Sequence, residues 1–180
     1  SRWLFLFKIA NLINTDHETV IRAIEKLNNP NIHYIICGQG PLKSYLGKLA
    51  KKLGIEKQVH LLGFRNDIAE VYKIADIFVF PSRREGLPLA VLEAMISGLP
   101  VIASNIRGLV DCLINGVTGY MFNPLDIDGF AYGIKKLAMD NMLRIKMGQN
   151  SSETTGKYAL DNVLSKRGKY INVAPVKTSS

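Results

Sequence analysis

A chain of 180 residues is long enough to bury the core of one domain. Apolar residues make up 47% of it and charged residues 21%, which is ordinary for a globular protein, and no apolar run reaches the roughly 18 to 20 residues of a membrane span. The formal net charge is +8, but no recognisable nucleic-acid-binding motif accompanies it.

Strands and helices are predicted to alternate along the chain. Apolar runs predict strands over residues 3–9, 32–37, 59–62, 77–80, 101–103 and 118–122. Helical spacing predicts helices over 17–28, 42–53, 67–74, 89–97 and 126–139, and a helical region from residue 140 onward. Short apolar strands without alternation are buried on both faces, and intervening helices then favour a doubly wound, mostly parallel sheet. We predict one α/β domain over residues 1–170 and a disordered tail over 171–180.

Glycine-bearing or polar loops follow four of the predicted strands, at residues 38–41, 63–66, 82–88 and 104–111. Ligands of such sheets bind outside the carboxyl ends of the strands, so we expect these loops to meet at one rim. The candidate ligand-binding residues in these loops are Gly38, Gly40, Gly63, Phe64, Arg65, Ser82, Gly86, Leu87 and Pro88.

Residues 80–100, FPSRREGLPLAVLEAMISGLP, place two carboxylates around the start of an otherwise apolar helix, which we expect to be buried. Pro88 suits the first helical turn, and the free N–H groups near Gly86 form an anion site with the helix dipole. Glu93 lies within the helix among apolar residues, so it either pairs with a cation or accepts hydrogen bonds from ligand hydroxyls. The loop residue Glu85 is the second carboxylate that could contact a ligand. The nearby Arg83 either contacts phosphate or neutralises the charge of Glu85.

Basic residues concentrate on one predicted helix, opposed only by Glu56: Lys43, Lys48, Lys51, Lys52 and Lys57. They form either a solvated face or a surface for nucleotide phosphates, an anionic membrane or nucleic acid.

The cysteines and histidines show no metal-binding spacing. We predict that Cys37 and Cys112 are buried free thiols in a reducing compartment. We expect His17, His33 and His60 to be structural, and we predict no metal site.

These motifs resemble the C-terminal half of the retaining glycosyltransferases of family 4, the "glycosyl transferases group 1" type with the GT-B fold. The similarity runs from about residue 17 to about residue 170. Its most specific piece is the pair of glutamates eight apart within EGLPLAVLEAMISGLPVIAS, preceded by ADIFVFPS. The stretches GQGPLKSYLGKLAKKLG, VHLLGFRNDI and NGVTGYMFNPLD also look like that family in order and spacing.

The resemblance implies a Rossmann-like domain that binds a nucleotide-sugar donor, with a UDP-sugar expected and no metal required. Carried over by position, Glu93 would bind the ribose hydroxyls and Glu85 the hydroxyls of the donor sugar, which makes both the expected catalytic residues. Backbone N–H groups around Gly86 and Leu87 would hold the distal phosphate, and residues 63–65 would cradle the base through their backbone.

The sequence departs from the family in two respects. Ile9 stands where the family has a glycine, Ala10 near its arginine and Thr15 near its lysine, and those two basic side chains grip the diphosphate. Their absence predicts weaker stabilisation of the leaving group. A GT-B enzyme also needs an N-terminal acceptor-binding domain, which 180 residues do not include. We therefore expect a partner domain in cis or in trans, and no activity from the chain alone.

The leading hypothesis is a donor-binding domain of a retaining hexosyltransferase in polysaccharide or glycolipid assembly. It would lie in the cytoplasm or at the inner face of the membrane, with an anionic membrane surface as a further partner and no specific nucleic acid. One alternative is a non-catalytic module that binds nucleotides or nucleotide sugars. A more distant alternative is a basic adaptor for nucleic acid or anionic lipid.

Overall fold

The computed structural model describes the backbone of residues 4–9, 15–84 and 89–170 and the side chains of residues 15–84 and 89–156. Its strands form one six-stranded sheet with the order β3-β2-β1-β4-β5-β6. Every neighbouring pair is parallel, so the doubly wound fold predicted from the sequence is confirmed. The strands are β1 (Leu4–Ile9), β2 (Ile32–Cys37), β3 (Val59–Gly63), β4 (Ile77–Phe80), β5 (Val101–Ser104) and β6 (Gly119–Phe122).

The helices are α1 (His17–Leu27), α2 (Leu42–Lys52), α3 (Ile68–Ile74), α4 (Leu89–Ile96), α5 (Ile127–Met139) and α6 (Asn141–Tyr170). Each of the five predicted helices was one residue too long: α1, α2 and α4 end one residue earlier than predicted, and α3 and α5 begin one residue later. Asn28, which caps α1, has a φ of 45°. Lys57 and Glu56 lie beyond the end of α2, so the prediction that all five lysines share one helix was wrong. None of the helices in the described part of the chain is both long and apolar enough to cross a membrane.

The sheet separates two apolar layers, and β4 supplies both of them. Ile77 and Val79 join the cluster formed with α1, α2 and α5, while Phe78 and Phe80 join the cluster formed with α3 and α4. Successive strand residues point to opposite faces, which explains this division. All residues of β2, β4 and β5 are buried, whereas the edge strands β3 and β6 are partly exposed. Continuous apolar runs therefore predicted the central strands correctly.

A buried arginine attaches α6 to the rest of the domain. Arg144 is 7% exposed, and its Nη1 donates to the carbonyl oxygen of Leu137 at 2.7 Å and its Nη2 to the side chain of Asn141 at 2.6 Å. Its Nε lies 3.8 Å from Oδ1 of Asp76, which ends the α3–β4 turn. The guanidinium thus joins three segments of the chain around one buried charge.

We expect Arg144→Ala to lower the free energy of unfolding by about 3 kcal/mol, because the buried Asp76 carboxylate loses its cationic partner. Urea denaturation followed by circular dichroism measures this. Arg22→Ala is the matched control, since Arg22 pairs with Glu18 on the surface and its loss should cost about 0.5 kcal/mol. Equal losses in the two variants would contradict the structural role of Arg144.

Two histidines that we expected to be structural are hydrogen-bonded to each other across neighbouring strands. Nδ1 of His33 on β2 lies 3.0 Å from Nε2 of His60 on β3, with the rings stacked. Burial lowers the pKa of His33, helped by the charge of His60, and burial also lowers the pKa of His60. The fold therefore favours the pair in its neutral state.

This pair predicts a loss of stability in mild acid. Unfolded histidines take up protons near pH 6.5, whereas the folded pair takes them up at lower pH, so stability is complete above about pH 6.5 and declines below it. Urea midpoints at pH 7.5 and pH 5.5 measure the decline. His33→Gln/His60→Gln should show a smaller difference between the two pH values, and an unchanged difference would contradict the assignment.

Candidate functional site

The loops after four strands meet at the carboxyl rim of the sheet in two hydrogen-bonded pairs. The N–H of Gly38 after β2 donates to the carbonyl oxygen of Gly63 at the end of β3, at 2.7 Å. Gly63 has a φ of 75°, which favours glycine, so this turn depends on its residue type. The N–H of Ser82 after β4 donates to Oγ of Ser104 at the end of β5, at 3.1 Å. The structure thus brings the predicted loops together at one rim.

The segment that leads into α1 is joined to the loop after β4. The N–H of Asp16 donates to the carbonyl oxygen of Pro81 at 2.7 Å, and Thr15 forms an antiparallel bridge with Ser82. Nε of Arg83 lies 2.9 Å and 2.8 Å from the two carboxylate oxygens of Asp16. The hydrogen bond to Asp16 raises the pKa of Arg83 further. Sequence reasoning placed Arg83 near phosphate or Glu85 and missed this ion pair.

Two of the three positions that depart from the family pattern lie in the described part of the chain. Ile9 is the last residue of β1, Ala10 lies outside the described residues, and Thr15 lies beside Ser82. The Oγ1 atom of Thr15 is buried and has no hydrogen-bond partner within the described part of the chain. This position offers a small neutral side chain at the point where a lysine was expected.

The loop after β3 presents an aromatic ring and an arginine that is already paired. Phe64 is 73% exposed. Nε of Arg65 donates to Oδ1 of Asp67 at 2.7 Å, and a second hydrogen bond joins Nη2 to Oδ2. This pairing lowers the pKa of Asp67, and the Asp67 side chain does not cap α3. Gly40, after β2, accepts a hydrogen bond from the N–H of Lys43 at 3.3 Å, at the start of α2.

Glu93 is exposed on α4, which corrects our expectation of a buried helix. Leu89 and Ile96, at the two ends of the helix, are each 60% exposed, and only Val91, Ala94 and Met95 are buried there. The carboxylate forms no ion pair within the described residues, and its Oε2 accepts a hydrogen bond from the hydroxyl of Tyr72 at 3.2 Å. Tyr72 lies on α3 and was missed because α3–α4 packing creates the contact.

A groove of about 630 Å³ lies between α3 and α4, with Glu93 on its wall. Its lining is mostly apolar. The lining residues are Ile68, Ala69, Tyr72, Lys73, Glu93, Ile96 and Ser97.

Glu85, Gly86, Leu87 and Pro88 lie outside the described residues. Their roles therefore stay predictions. Cys37 and Cys112 are buried and free, as expected, and burial raises the pKa of Cys112 to about 11. No group of three or more potential metal ligands occurs among the residues that the structure describes.

Comparison with known proteins gives consistent matches. Residues 3–154 match the family described as "Glycosyl transferases group 1". An uncharacterised glycosyltransferase of Methanocaldococcus jannaschii is 34% identical over 150 residues, covering 81% of this chain and 38% of that protein. The Escherichia coli UDP-Gal:alpha-D-GlcNAc-diphosphoundecaprenol alpha-1,3-galactosyltransferase is 40% identical over 118 residues, which cover 64% of this chain and 30% of that protein.

Solved structures match the fold over nearly the whole chain. Anabaena HepE in complex with UDP superposes with a TM-score of 0.85 at 20% identity, covering 94% of this chain and 50% of HepE. The matched part of this chain spans 38% and 30% of the length of the two curated relatives named above.

Proposed function

The chain belongs to the glycosyl transferases group 1 family, and we propose that it is the donor-binding half of a retaining hexosyltransferase. Its ligand is a nucleoside diphosphate sugar, bound at the carboxyl rim of the sheet. The acceptor is a polysaccharide or glycolipid held by an N-terminal domain in cis or in trans. The proposed location is the cytoplasm, at an anionic membrane surface when the acceptor is a lipid.

The exposed carboxylate of Glu93 carries the proposal. An ionised carboxylate can accept about four hydrogen bonds, and within the described residues Glu93 accepts one, from a neutral hydroxyl. The remaining capacity suits the two neighbouring hydroxyls of a ribose. Asp16, by contrast, already has a cation as its partner, Arg83.

The proposed donor is a UDP-sugar, and two findings on relatives support it. HepE was crystallised with UDP, and the Escherichia coli relative is named for UDP-Gal. In this chain the guanidinium of Arg65 is engaged by Asp67, so the base would contact the backbone of residues 63–65 and the exposed ring of Phe64.

In the proposed reaction, the bond from the sugar's anomeric carbon to the diphosphate breaks through an oxocarbenium-like transition state with retention of configuration. The anomeric carbon bonds to an acceptor hydroxyl oxygen, and the hydroxyl's proton passes to the departing diphosphate. Glu85 contacts the sugar hydroxyls, and N–H groups around Gly86 and Leu87, at the start of α4, stabilise the departing diphosphate. Because Thr15 supplies no charge, this anion site carries more of the stabilisation here than in relatives with the basic pair.

Calorimetric titration with UDP, GDP and ADP, alone and as sugar conjugates, tests the proposal. We expect one nucleotide, UDP foremost, to bind weakly, and Glu93→Ala to abolish detectable binding because the ribose loses its acceptor. Glu25→Ala removes an exposed glutamate from α1 and should leave the affinity unchanged. Unchanged affinity in Glu93→Ala would show that this carboxylate is structural.

The neutral Thr15 favours a second candidate, a non-catalytic module that binds a nucleotide or nucleotide sugar. Without a cation at this position the diphosphate could be bound and yet leave too slowly for turnover. The separating experiment supplies the acceptor domain of a relative in trans and measures UDP-sugar hydrolysis and transfer. We expect measurable transfer; intact donor binding with no turnover would favour the module.

A further inference from the structure

We propose that Tyr72 is a positioning residue that holds the Glu93 carboxylate in place for the ribose and links it to the base-binding loop. The inference rests on the proposed function. Tyr72 lies on α3, which directly follows the loop at residues 63–66, whereas Glu93 lies on α4. A contact between them therefore joins two parts of one ligand site.

In this contact the hydrogen-bond donor is the buried Tyr72 and the acceptor is the exposed Glu93. Tyr72 is 5% exposed, and its ring packs against Phe78, with centroids 6.1 Å apart. Its hydroxyl lies 3.2 Å from Oε2 of Glu93 and 3.2 Å from the carbonyl oxygen of Ala90. A hydroxyl has one proton to donate, and the charged carboxylate is the stronger acceptor.

Glu93 needs such a restraint because its side chain is exposed. A solvated glutamate samples many rotamers, and a ligand that binds it must order it at the cost of affinity. A hydrogen bond from a buried, rigid tyrosine orders the carboxylate before the ligand arrives. Burial and the Glu93 charge also raise the pKa of Tyr72, so the hydroxyl keeps its proton at every physiological pH.

The test compares UDP with its dideoxy analogue, which lacks both ribose hydroxyls. Calorimetry on the full chain gives both affinities for wild type, Tyr72→Phe, Glu93→Gln and the double variant. Phenylalanine keeps the ring packing and removes only the donor. Tyr45→Phe is the matched control. It also removes a tyrosine–glutamate hydrogen bond, the one from exposed Tyr45 on α2 to Glu18 on α1.

We expect Tyr72→Phe to weaken UDP binding about fivefold to tenfold and to leave binding of the dideoxy analogue within about twofold of wild type. In the Glu93→Gln background the same substitution should have little effect, because the two residues act together. Tyr45→Phe should match wild type with both nucleotides.

Three results would overturn the inference. If Tyr72→Phe weakened the binding of both nucleotides equally, Tyr72 would act through the fold. If Tyr72→Phe left the UDP affinity unchanged while Glu93→Gln lowered it, Tyr72 would have no role in the site although Glu93 would. Failure of wild type to bind UDP or any other nucleoside diphosphate, or insensitivity to Glu93→Gln, would overturn the proposed function and this inference together.

Discussion

The parallel pairing of β1 with β4 in the middle of the sheet is the constraint on which the site depends. The chain proceeds from β1 toward the β3 edge of the sheet and, after returning to β4, toward the β6 edge, so the direction of winding reverses between these two neighbouring strands. The Asp16–Arg83 ion pair, the hydrogen bond from Asp16 to Pro81 and the bridge between Thr15 and Ser82 all lie at this point. Two segments far apart in sequence are thereby joined at the carboxyl rim of the sheet.

Hydrogen bonds also join the neighbouring loops on both sides of these central strands. Gly38 and Gly63 join the loops on one side of the centre, and Ser82 and Ser104 join them on the other. Arg65 and Arg83 of these loops are already paired within the protein, with Asp67 and Asp16. The Glu93 carboxylate accepts its hydrogen bond from a neutral hydroxyl instead, and it is the feature that suits a ligand rich in hydroxyl groups.

Sequence predicted the elements better than it predicted their contacts. The runs that became β2, β4 and β5 are mostly apolar because both faces of the sheet are covered, and this signal is local. The contacts of Tyr72 with Glu93, Arg83 with Asp16 and His33 with His60 were not predicted, because helix packing and strand register bring distant residues together. The exposure of Glu93 was missed for a related reason, since Leu89, Glu93 and Ile96 share the exposed face of α4 although two of them are apolar.

The most direct measurement is a crystal structure of this chain with UDP bound. The account predicts ribose oxygens within about 3 Å of the Glu93 carboxylate, with the Tyr72 hydrogen bond retained, the base against residues 63–65 and the diphosphate at the start of α4. A ribose that makes no contact with Glu93, with the nucleotide bound elsewhere on the chain, would contradict it.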